Sequence, residues 1–164
     1  MRMIIHESAM NDFSLISELA HNCSILTANL INPLLSPDCL AQAFQIHSQK
    51  RKLRKPGIYV KICLEFLDFN PTIEQFKQII YEYLQGIKWN DLQYISFIIP
   101  RDKDIEIDLV FNRVTLEGNT IDLTCLGAKS IQYDILHQAY LKIATPSDLA
   151  GSREQGAGSR GIRN

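Results

Sequence analysis

The chain has 164 residues, 46% of them hydrophobic, and seventeen Lys and Arg against eighteen Asp and Glu leave a formal charge of −1. That length suits one domain of roughly 100–200 residues with its own core. The charge excludes a polybasic binder acting by bulk electrostatics, the apolar content excludes a disordered chain, and no apolar run approaches the roughly 18 residues of a membrane span.

Glu7 and Asp12 follow the N-terminus too closely for a signal peptide. Met1–His6 reads as a short strand. Asn11 or Asp12 can cap a helix over Phe13–Ala20, where Phe13, Ile16, Leu19 and Ala20 recur at helical spacing. Ile25–Leu30 is a second extended segment. After the loop of Asn32-Pro33 and Ser36-Pro37, Ser36 or Asp38 opens a helix to about Gln49, with Leu40, Ala43, Phe44 and His47 on one face. Pro56-Gly57 breaks the chain before a β-branched strand, Ile58–Phe66. Thr72 and Gln75 form a capping box for a helix whose stripe is Ile73, Phe76, Ile79, Ile80, Tyr83 and Leu84, with Gly86 as its stop. Gln93–Ile99 and Asp104–Val114 are strands, Glu117-Gly118 is a turn, and Thr120–Leu123 is a return strand. Ser130–Ile143 is the last helix. From Thr145 onward large apolar residues almost vanish.

The order β-α-β-α-β-α-β-β-α implies an α+β fold, an antiparallel or mixed sheet with helices packed on one side. The expected division is a domain at 1–145 and a disordered tail or truncated linker at 146–164.

Cys23, Cys39, Cys63 and Cys125 form no CxxC pair and read as reduced thiols in a cytoplasmic protein, with Cys63 in the core. His6, His21, His47 and His137 are scattered and give no local metal pair. Charge, by contrast, is concentrated. Lys50, Arg51, Lys52, Arg54 and Lys55 put five bases into six positions, leaving twelve bases against eighteen acids elsewhere. Cations suit a helix C-terminus, and a segment this dense also suits phosphate contact. Asp104, Glu106 and Asp108 alternate with Ile105, Ile107 and Leu109, so the carboxylates share one strand face about 6.6 Å apart. That face reads either as solvated or as a site for a hard cation such as Mg²⁺, Mn²⁺ or Ca²⁺.

Several features occur together in one order. They are the helix Phe13–Ala20, the segment Thr27-Ala28-Asn29-Leu30, the basic stretch before Ile58–Phe66, the helix before Gln93-Tyr94-Ile95, the strand end Val110-Phe111-Asn112-Arg113-Val114, and the turn Leu116-Glu117-Gly118-Asn119-Thr120. In that order the chain resembles the N-terminal domain of plasmid relaxases, the mobilisation nucleases, particularly the cyanobacterial-type members.

The resemblance implies an antiparallel sheet with packed helices. It also implies nicking of plasmid DNA by a tyrosine on the first helix, beside a histidine-held divalent metal. Here the nucleophile position falls on Leu19. The histidine of the strand Ile58–Phe66 falls near Lys61, the H-x-H pair on Glu106 and Asp108, and an upstream histidine on Asp104 or Arg101. Tyr59, Tyr81, Tyr83, Tyr94, Tyr133 and Tyr140 read as packing residues.

Three functions follow as expectations. The first is a relaxase-like mobilisation domain that has lost nicking and binds single-stranded or origin DNA through Lys50, Arg51, Lys52, Arg54, Lys55, Lys61 and Arg101, alongside other mobilisation proteins. The second is a divergent endonuclease using Mg²⁺ or Mn²⁺ on Asp104, Glu106 and Asp108. The third is a structural or protein-binding remnant.

Overall fold

A computed structural model describes residues 1–65, 67 and 70–144. The expected tail at 146–164, and Phe66 at the end of the third strand, lie outside the described residues.

The elements follow the expected order. They are β1 (Arg2–Met10), α1 (Ser14–Asn22), β2 (Ser24–Asn29), α2 (Pro37–Ser48), β3 (Gly57–Glu65), α3 (Ile73–Ile87), β4 (Tyr94–Pro100), β5 (Asp104–Asn112) and α4 (Ser130–Ala144). The strands form one antiparallel sheet in the order β1-β3-β5-β4-β2. The class is α+β, with β5 at the centre.

The helices cover both faces rather than one. On one face Ile58, Val60, Ile62, Leu64, Ile107, Leu109 and Phe111 pack under α3 and α4, against Phe76, Ile79, Ile80, Tyr83, Leu136 and Tyr140. On the other, Ile95, Phe97 and Val110 pack under Phe13, Ile16 and Leu19 of the first helical segment and Leu40 and Phe44 of α2. The cause is legible in β4, whose Tyr94–Ile98 run is buried throughout, as a strand covered on both faces requires.

Local chemistry sets most of the ends. Ser36 caps α2 through Cys39 N–H, and Thr72 and Gln75 bond reciprocally at the start of α3. The start of α1 differs from expectation. Phe13 occupies the cap with no side-chain bond, while Asp12 accepts the N–H and hydroxyl of Ser14.

Gly86 does not stop α3, which runs on to a left-handed Lys88. Its role is close approach: a Cβ at Gly86 would collide with Ile135 of α4. The expected return strand after Gly118 reduces to one bridge, Val114 with Thr120, followed by a 3₁₀ turn at Leu123–Cys125. Among the described residues no helix is long and apolar enough to cross a membrane.

Candidate functional site

The register of β3 against β5 assembles the polar cluster. Lys61 lies opposite Asp108 and Cys63 opposite Glu106, while on the other flank Phe97 faces Asp108 and Ile99 faces Glu106. This is the face that α1 and α2 cover. The alternating pattern of β5 therefore does not mark a solvated surface. Glu106 is 6% exposed and Asp108 2%. Cys63 is half-buried beside them rather than in the core.

Buried carboxylates need partners. Glu106 has two: Lys61 Nζ at 3.6 Å and Arg101 Nη2 at 2.8 Å, with Arg101 Nε at 3.3 Å. The turn between β4 and β5 brings Arg101 into place, its N–H bonded to the Asp104 carbonyl at 2.9 Å. Against the desolvation of its site, the interactions with Asp108, Arg101 and Lys61 hold the Glu106 carboxyl below its ordinary value.

Asp108 is the opposite case. Burial, reinforced by the adjacent Glu106, pushes it up to about 7, with Tyr59 and Lys61 pulling the other way. Its Oδ1 has no hydrogen-bond partner. The two carboxylates thus divide the work: Glu106 carries the charge and Asp108 retains a proton into the neutral range. Burial and the same two acids raise the Tyr59 hydroxyl, so it is a proton donor rather than a phenolate.

Leu19, at the position the resemblance gives to the nucleophile, is buried on α1 over this face among Phe97 and Val110. Asp104 lies at the rim, opposite Glu65. Among the described residues no three His, Cys, Asp or Glu stand together as a group able to hold a metal ion. Glu106 and Asp108 are adjacent, but Asp104 does not join them as a third ligand.

The basic residues divide into two places. Lys50, Arg51, Lys52, Arg54 and Lys55 are exposed in the loop from α2 to β3, and none has an acidic partner among the described residues. The segment is anchored by its neighbours. Lys50 Nζ bonds Leu116 O at 3.1 Å, Arg51 Nε bonds Gly118 O at 2.6 Å, and Arg113 Nη1 bonds Lys55 O at 2.8 Å. Two open clefts flank it. One, of about 420 Å³, is lined by Lys52, Arg54, Lys55 and Arg113, and the other, of about 370 Å³, by Arg51, Lys52 and Gln45.

Lys61 and Arg101 belong elsewhere. Gly57 pairs with Asn112 and Glu65 with Asp104, so Arg101 stands at the opposite end of the sheet, about 26 Å along the strands from the basic loop. Both are engaged by Glu106.

Tyr59, read from the sequence as a packing residue, and Arg113, named only within the strand end Val110-Phe111-Asn112-Arg113-Val114, are not among the site residues expected from the sequence. Tyr59 had one signal, its two-residue spacing from Lys61 on the same strand face. Arg113 had none beyond its place after Asn112. No protein-family model and no curated protein matches this chain.

Proposed function

We propose that this is a relaxase-like DNA-binding domain of plasmid mobilisation in which an internal charge cluster stands where a nicking centre would be. One observation supports the reading. Lys61, Glu106 and Asp108 share the sheet face that α1 and α2 cover, and Leu19 is buried on α1 over that face, although the resemblance draws the four from distant parts of the chain. Leu19 has no nucleophilic atom. Glu106 is already paired with two cations, so a Mg²⁺ or Mn²⁺ ion entering there would compete with Lys61 and Arg101 for it. Binding then falls to Lys50, Arg51, Lys52, Arg54 and Lys55, which have no acidic partner among the described residues and whose loop is anchored. The partner is single-stranded or origin DNA in the cytoplasm, met together with other mobilisation proteins.

The test pairs binding with nicking. Lys52→Glu, Arg54→Glu and Lys55→Glu together spare Lys50 and Arg51, which hold the loop. A labelled single-stranded oligonucleotide should lose on the order of tenfold or more in affinity at low salt. Supercoiled plasmid should stay intact with Mg²⁺ or Mn²⁺. Unchanged affinity overturns the reading. Mn²⁺-dependent relaxation that vanishes in Glu106→Ala replaces it with the metal-dependent endonuclease.

A further inference from the structure

The basic loop carries one apolar residue, Leu53, between Lys52 and Arg54. Leu53 is half-buried, yet it belongs to neither hydrophobic core. With Lys52 it forms a ridge shared by the two clefts that flank the loop. At about 420 and 370 Å³, each cleft falls in the ~300–1,000 Å³ range of small-molecule pockets.

The clefts differ in chemistry. The first combines two apolar side chains, Leu53 and Leu123, with the cations Lys52, Arg54, Lys55 and Arg113, and no acid lines it. Asp122, beside Leu123 in the chain, turns to the Thr124 N–H at 3.0 Å. Arg113 is held firmly: Nε donates to the Ile121 carbonyl and Nη1 to the Lys55 carbonyl, both at 2.8 Å. Those bonds use the edge of the guanidinium and leave its flat faces, on which an unstacked base can lie. The second cleft is lined in part by the exposed amides Asn11, Gln45 and Gln49. An amide sets a donor and an acceptor side by side, which matches the edge of a base.

We infer that Leu53 wedges between two successive unpaired bases of a bound single strand of DNA, one lying on Arg113 in the first cleft, the next reaching the amides of the second. This rests on the basic loop as the DNA-binding element and adds what that loop selects. An apolar patch rimmed by four cations fits a strand whose phosphates are anionic and whose base faces are apolar. Phosphate contact alone would favour the denser charge of a duplex. In a duplex, however, the base faces are stacked and the pairing edges occupied, so no base enters a cleft without first being unpaired. The wedge therefore turns a general phosphate contact into a preference for single strands.

Three labelled probes of one length test this: a single-stranded oligonucleotide, the same strand annealed to its complement, and a strand of abasic sugar-phosphate units. The intact chain should bind the single strand about tenfold or more tighter than either of the others. Leu53→Ser should erase most of that preference while leaving binding of the abasic strand unchanged, and Leu53→Met should keep it. Gln45→Ala with Gln49→Ala alters only exposed side chains and should weaken the single strand several-fold while sparing the abasic one. Where Leu53→Ser lowers the melting temperature, the glutamine pair decides. Equal binding of all three probes, or tightest binding of the duplex, overturns the inference and leaves DNA binding by the loop standing. A preference that survives in both Leu53→Ser and the glutamine pair overturns it too. Binding of none of the three removes the DNA-binding reading and the inference together.

Discussion

Asp108→Asn isolates the energetic cost hidden in the carboxylate pair. Asp108 is 2% exposed, and one of its oxygens has no hydrogen-bond partner. The folded chain holds its proton up to about 7, whereas an unfolded chain releases it near 3.8. Between those values the folded state binds more protons, so stability falls as pH rises through that window and stays lower above it. The gap, at 1.36 kcal/mol per pH unit, bounds the effect at about 4 kcal/mol. Glu106 shifts the other way. Its stabilising charge is present above its ordinary value of 4.5 and is lost on acidification. Because the pair is coupled, the opposite shift of Glu106 offsets part of that bound.

Asparagine keeps the shape and removes the ionisation. Asp108→Asn should therefore be more stable than the parent at about pH 9, within that bound of about 4 kcal/mol and at roughly 2–4 °C in melting temperature per kcal/mol for a domain of this size. Below about pH 4, where both states hold the proton, the two should converge. Thermal unfolding followed by circular dichroism across this range measures both. Parallel pH profiles, or a variant less stable at alkaline pH, would refute the assignment of the retained proton to Asp108.

Glu106→Gln removes the charge next to Asp108 and should bring the Asp108 titration, followed by carbon NMR, down from about 7 toward the ordinary carboxylate range. Gly86→Ala should destabilise by about 1–3 kcal/mol despite alanine's better helix propensity, because the added methyl meets Ile135, and a second change, Ile135→Ala, should abolish that clash. Urea unfolding of the single and double variants measures it. Asn112→Ala leaves the Phe44 carbonyl and Gln93 Oε1 without their shared donor, and Val114 N–H without its acceptor, at a cost of about 1–3 kcal/mol in the same assay.

The fold was largely legible because its signals are local. Thr72 with Gln75, Ser36 before Pro37 and the apolar stripe of α3 each act within one turn of chain. The failures share a cause, since they depend on what packs from elsewhere. Gly86 reads as a stop until Ile135 is known to sit against it. The alternation of β5 reads as half-solvated until α1 and α2 are placed over its acids. Helices on one side follow from alternation, but the unbroken burial of Tyr94–Ile98 requires a second layer.

The site was legible only as charge. Sequence spacing put Asp104, Glu106 and Asp108 on one face and grouped Lys50–Lys55. It carried no information that Lys61 and Arg101 would close on Glu106, because that depends on the pairing of β3 with β5 and on the turn at Arg101. Asn112 and Arg113 emerge as clamps, one joining α2 to the start of β4 and the other tying the basic loop to the Ile121 carbonyl.

The salt dependence of single-stranded DNA binding tests the central claim most directly. Five engaged bases, at a slope of about −0.7 per phosphate contact, give about −3.5 for log K against log salt. Reversing Lys52, Arg54 and Lys55 together should flatten that slope by about 2 and weaken binding at every salt concentration. A slope that is the same in the parent and the variant, or no binding by the parent at low salt, would contradict the assignment of the basic loop as the DNA-binding element.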